Sequence, residues 1–108
     1  MATPETKPWK MYIAEFIGTF ILVFVILIIL EKMKSNKILI PILIGLTVAI
    51  AIYVAEAAGG LGAVNPVVSY SLYRKGSISS TDLAGHIAAQ LVAALLAIEA
   101  AILLKDRL

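Results

Sequence analysis

The sequence has no cysteine and a single histidine. That excludes disulfides, thiol catalysis and iron–sulfur clusters, and argues against an all-protein zinc or haem site. Charge is also scarce: Asp, Glu, Lys and Arg make up 15% of the 108 residues, against about a quarter in soluble domains. What fills the chain is apolar, with 61% hydrophobic residues and a mean hydropathy of +0.99. Such a composition belongs in a lipid bilayer, and the fold class it predicts is an all-α membrane protein. A spanning helix takes about 20 residues, so three spans and their connections use nearly the whole length. A single membrane domain over residues 1–108 is expected, with no separate catalytic domain, no enzymatic activity and no cofactor or metal. The formal net charge of +2 does not predict nucleic-acid binding, because the basic residues sit in short patches beside apolar runs.

Three apolar runs define the spans, at about residues 11–30, 38–58 and 83–104. The first is interrupted only by Glu15, Gly18 and Thr19. It is not expected to be a cleaved secretory signal, whose hydrophobic region is shorter, holds no carboxylate and is followed by a small-residue cleavage site, unlike Glu31-Lys32-Met33-Lys34. Pro41 is tolerated in the first turn of the second span, where its missing N–H is not needed. Before the third span, Ser79 and Asp82 have capping-box spacing. The third span is rich in Ala and Gly, which let helix backbones approach closely in lipid and predict packed partners.

Residues 59–73 carry the most information. Gly59-Gly60-Leu61-Gly62-Ala63-Val64-Asn65-Pro66-Val67-Val68-Ser69-Tyr70-Ser71-Leu72-Tyr73 is too apolar for a solvent loop and too broken for a span. The glycines predict an extended entry, Asn65 a helix N-cap and Pro66 the first helical position. A helix over 66–73 would measure roughly 12 Å, under half of a hydrocarbon core, and is therefore expected to be a re-entrant half-helix. An interfacial surface helix is the alternative, but 66–73 lacks the Lys-rich polar face such helices carry. Irregular backbone at membrane depth must line a cavity or be packed by protein, so Gly60, Leu61, Gly62, Ala63 and Val64 are candidates for a pore-lining loop.

At this point the chain resembles the aquaporin, or major intrinsic protein, family. Ala14-Glu15-Phe16-Ile17-Gly18-Thr19-Phe20-Ile21-Leu22-Val23-Phe24 is similar to the family's first-helix motif, Asn65-Pro66-Val67 to its Asn-Pro-Ala box, and Ala89-Gln90 to the Ala-Gln of its third helix. Family members carry two such three-span repeats of opposite orientation, and this chain has one, so it resembles half an aquaporin. The resemblance implies three transmembrane helices plus one re-entrant half-helix, pairing as an inverted dimer. A lone half-helix would begin at mid-membrane with its positive dipole end and first N–H groups unmet. The expected counterpart is a second copy in inverted orientation, as in inverted-repeat transport proteins. The family's tetramers imply further assembly, as four pores or eight chains.

Charge counts permit dual topology. Lys7, Lys10, Arg74 and Lys75 share one side; Lys32, Lys34, Lys37, Lys105 and Arg107 share the other. A difference of one charge barely selects an orientation. A separate subunit carrying the opposite orientation is the alternative. The location expected is integral and multi-pass, in a plasma or inner membrane.

In the pore that the resemblance implies, Asn65 caps the half-helix and offers its amide to permeating molecules. The half-helix dipoles repel cations at the centre, and the carbonyls of residues 59–64 offer acceptors. The resemblance also implies that Glu15 accepts N–H groups from the loop and that Gln90 shares this bracing role; a proton-coupling role for Glu15 is the competing reading. His86 is expected to be a packed or interfacial histidine rather than a pH gate, and Glu56 and Glu99 to be partly solvated or ion-paired. Val67 stands where the box has alanine, and Val68 where a typical second repeat has the selectivity-filter arginine. The other filter candidates fall near Ile44 and at Ile52 or Tyr53. Such an apolar mouth fits water, glycerol, ammonia or a dissolved gas, and the sequence does not choose among them.

The function expected is a passive channel for water or small neutral solutes. Two other classes compete. A non-conducting structural subunit would use the small-residue face of the third span for docking. A dual-topology proton-coupled multidrug transporter would use Glu15, because small multidrug resistance proteins carry a similar Ala-Glu-x-Ile-Gly-Thr; that family has four full spans and no Asn-Pro half-helix.

Overall fold

The computed structural model describes residues 8–108, so Lys7 of the charge count lies outside them. Four helices follow in order: α1 Pro8–Met33, α2 Leu39–Ala57, α3 Pro66–Lys75 and α4 Ser80–Leu104. Three of them, α1, α2 and α4, are long and apolar enough to cross a membrane. α3 has 10 residues, roughly 15 Å at 1.5 Å per residue, and reaches only partway.

Helices α1 and α4 extend three residues beyond the apolar runs at their amino ends, to Pro8 and Ser80. Polar residues continue a helix at no cost once they stand in water, so hydropathy underestimates its length. The turn between α1 and α2 passes through Lys34 in the left-handed region, φ 52°. Asn36 then caps α2, its Oδ1 accepting from Leu39 N–H at 3.0 Å. Helix α3 runs two residues past Tyr73 and stops at Gly76, whose φ of 91° allows Ser77 N–H to reach Leu72 O at 2.8 Å. At the start of α4 half of the capping box forms: Ser79 Oγ accepts from Asp82 N–H at 3.0 Å. The Asp82 carboxylate instead accepts from Tyr12 OH at 3.0 Å, tying α4 to α1.

Helix α1 is central, packed against α2 on one side and α4 on another, with α3 resting on α4. The buried residues are mostly small or polar, including Ala14, Glu15, Gly18, Ala51, Ala55, Ala93 and Ala97. Large side chains such as Ile42, Leu46, Ile50 and Leu95 face outward. This inversion of a soluble core follows from the solvent. Lipid tails are as apolar as leucine, so association comes from close backbone approach rather than apolar burial.

Gly18 sits at the closest approach. A Cβ there would lie 2.6 Å from Val64 Cγ1, 3.0 Å from Ala55 Cβ and 3.1 Å from Ala51 O. Gly45 on α2 would meet nothing within 4 Å. Thermal unfolding in detergent should therefore show Gly18→Ala destabilised by about 1–3 kcal/mol through overpacking. Gly45→Ala should be unchanged or slightly stabilised, because alanine loses less backbone freedom in a helix. Equal effects at the two positions would refute the close approach of α1, α2 and the loop.

Candidate functional site

After α2 the chain turns back inward. Gly59 takes φ 100°, and Gly60 N–H bonds Ala55 O at 2.9 Å. Gly60 then passes close against α1, where a Cβ would lie 2.6 Å from Ala14 Cβ. Gly62, with φ 73°, packs beside Ile52, whose Cγ2 would be 2.9 Å from an added Cβ. Gly62, Ala63 and Val64 are buried and Leu61 is half-buried. Val64 has φ 45°, an outlier for a β-branched residue that costs about 1–3 kcal/mol. Something must hold it there.

That something is Glu15. Its Oε1 accepts from Val64 N–H at 2.8 Å and its Oε2 from Ala63 N–H at 3.2 Å. Gln90 Nε2 donates to the same Oε1 at 3.0 Å and to Ser69 Oγ at 2.9 Å. His86 Nδ1 lies 3.1 Å from Ser69 Oγ and 3.8 Å from Glu15 Oε1. All four side chains are essentially out of solvent. Ser69 Oγ accepts from Gln90 Nε2, and the direction of its contact with His86 Nδ1 is set by the imidazole tautomer. The network joins α1, the loop, α3 and α4 through one carboxylate. Its second contribution is local: two consecutive N–H groups of irregular backbone find acceptors in a dry place, where leaving each unpaired costs about 1–3 kcal/mol.

Asn65 is extended, φ −160° and ψ 126°, and its Oδ1 accepts from Val67 N–H at 2.8 Å. This cap uses the oxygen and leaves the side-chain NH2 free. Asn65, Pro66, Val67 and Val68 are exposed, Val67 at 71%. Tyr53 is exposed at 75%, whereas Ile44 and Ile52 are half-buried and eight residues apart on one face of α2. The structure thus brings Glu15 and Gln90 to Ala63 and Val64, and Ile52 to Gly62. It leaves Asn65, Val67, Val68 and Tyr53 on the outer surface. Glu56 and Glu99 are exposed.

One site residue, Ser69, escapes a sequence reading; His86, expected as a packed or interfacial histidine, is fully buried and completes the network with it. Helical spacing held the signal: Ser69 is four residues after Asn65, and His86 four before Gln90, so each lies on the same helix face as a candidate residue.

The family model for Major intrinsic protein matches residues 2–106. Glycerol uptake facilitator protein-like 6 of Lactiplantibacillus plantarum is 32% identical over 88 residues, covering 82% of this chain and 40% of the relative. The chain therefore spans about two fifths of the length of that curated relative. No solved structure gives a significant match.

Proposed function

The chain belongs to the major intrinsic protein family and is a multi-pass integral membrane protein; on that premise we propose that it forms a passive pore for water or small neutral solutes, lined by residues 60–64 and Asn65. One observation carries this. Among the described residues, the carbonyls of 59–64 accept no protein hydrogen bond, although 62–64 are buried within a membrane protein. Backbone acceptors at that depth need water or a permeant to satisfy them. A file of molecules passing the loop supplies the donors, and the free Asn65 NH2 supplies the next donor along the path. The positive end of α3 disfavours cations at that point.

The pore requires a second wall, because the amino end of α3 faces outward. A second copy in inverted orientation fits that need: it would set a second Asn65 against the first, and the near-equal basic charge on the two sides permits both orientations. Four such pores, of eight chains, is the larger assembly this reading favours. Glu15 and Gln90 hold the loop, and Ile44, Ile52 and Val68 form the apolar constriction.

Proteoliposomes should shrink faster under osmotic challenge than protein-free vesicles, with low ion conductance. An intact assembly with permeability no higher than lipid alone would replace the channel by a non-conducting structural role. Single cysteines at the exposed positions Ser35 and Ser80 should each label from both sides of the membrane. Labelling confined to one side per site would assign the second wall to a different segment or subunit.

A further inference from the structure

Away from the loop, a groove with a volume of about 380 Å³ opens between the far ends of α1 and α4. Its walls include Leu27 and Ile28 of α1 and Ile98 and Ile102 of α4, and its rim carries Glu31 and Lys105. The two rim charges are not equivalent. Glu31 has a cation, Lys34 Nζ, at 3.7 Å. Lys105 has no carboxylate within 4 Å among the described residues, whose ion pairs are Lys34–Glu31 and His86–Glu15. Lys105 is also half-buried although it follows the last turn of α4, so its carbon stem lies along the groove and its ammonium reaches the interface. The same end of the molecule carries Lys32, Lys34, Lys37 and Arg107, against Glu31 and Asp106.

We infer that this groove seats an anionic glycerophospholipid, one acyl chain lying against Leu27, Ile28, Ile98 and Ile102 and the phosphate on Lys105. An apolar channel between two spans, ending in an unpaired ammonium at headgroup depth, matches the two parts of that molecule. The ammonium of Lys105, the basic residue that lines the groove, favours a net negative headgroup over a zwitterionic one by about fivefold in affinity near a membrane surface. The site stands on α1 and α4 alone and does not depend on the pore.

Phosphatidylglycerol and phosphatidylcholine with identical acyl chains, added separately to the detergent-purified protein at low ionic strength, test the assignment. Native mass spectrometry should show phosphatidylglycerol retained about fivefold more than phosphatidylcholine, and thermal unfolding should shift upward more with the former. Lys105→Gln should erase the preference. Ile102 is more than half exposed, so Ile102→Phe should fill the groove without disturbing α1 against α4, and should lower retention of both lipids. Equal retention by the unaltered protein, or a preference unchanged in Lys105→Gln, overturns the proposal. So does an Ile102→Phe variant that keeps its lipid, or one that loses its oligomeric state with no lipid bound, the mark of a second copy in the groove.

Discussion

Glu15→Ala is expected to produce a chain that inserts but does not hold its re-entrant loop, with a stability loss of at least about 3 kcal/mol and no residual water flux. The size follows from what the carboxylate serves. Ala63 N–H, Val64 N–H and one hydrogen of Gln90 Nε2 all end on Glu15. None has another acceptor among the described residues, and a buried donor left unpaired costs about 1–3 kcal/mol. The strain at Val64, φ 45°, would then have nothing to offset it, and the segment is free to relax to β-region dihedrals. Val64 would leave the space that Gly18 provides, loosening α1 against α2 as well.

Glu15→Gln separates bracing from proton coupling. Glutamine keeps the volume and one acceptor oxygen, which can serve two of the three donors, but turns an NH2 toward the third. The expected result is an intermediate stability loss of about 1–3 kcal/mol with part of the water flux retained. A proton-coupled transporter requires the opposite pattern, normal folding with transport abolished. Stability, osmotic shrinkage and proton-driven uptake measured on both variants distinguish the two. A well-folded Glu15→Gln protein that had lost an observed proton-driven flux would overturn the channel assignment.

The helices could be foreseen because the bilayer imposes length and hydropathy, and Asn65-Pro66 combines a cap residue with a proline where a helix must begin. Their ends were less accessible: interfacial residues such as Pro8, Trp9 and Ser80 are polar or broken in pattern yet helical. The left-handed Val64 could not be anticipated at all. Local preference opposes it, and only the acceptors of Glu15, 49 positions away, make it tolerable. The Ser69–His86 contact depends on how α3 is rotated on α4, a property of tertiary packing that no periodicity within either helix encodes. The outward-facing large side chains and inward-facing alanines were foreseeable in kind, since lipid removes the reason to bury leucine. Which small residue meets which was not, because Gly18, Gly45 and Gly85 look alike in sequence. Of these three, Gly45 alone has open space around it, while Gly85 lies against the Tyr12 ring.

Asn65→Asp should leave the single chain folded and abolish selective water flux. Aspartate caps a helix as well as asparagine does, so Val67 N–H, now held by Asn65 Oδ1 at 2.8 Å, keeps an acceptor. A negative charge there also complements the helix dipole. In the proposed pore the consequences reverse. The NH2 donor is gone, and a charge held near mid-membrane costs about 2.5–3.5 kcal/mol. In an inverted pair each carboxylate also faces its twin. The expected outcome is a weakened dimer, water flux near the lipid background and a cation leak. Asn65→Ala provides the contrast. It removes the cap, at a cost of about 1 kcal/mol, but adds no charge, so it should retain part of the flux. Chain stability should therefore run Asn65 ≈ Asp > Ala, and water flux Asn65 > Ala > Asp. Unfolding in detergent gives the first order and osmotic shrinkage with conductance the second. An Asn65→Asp protein that conducts water like the unaltered chain, with no cation current, would mean that Asn65 does not stand at the constriction and meets no second copy of itself.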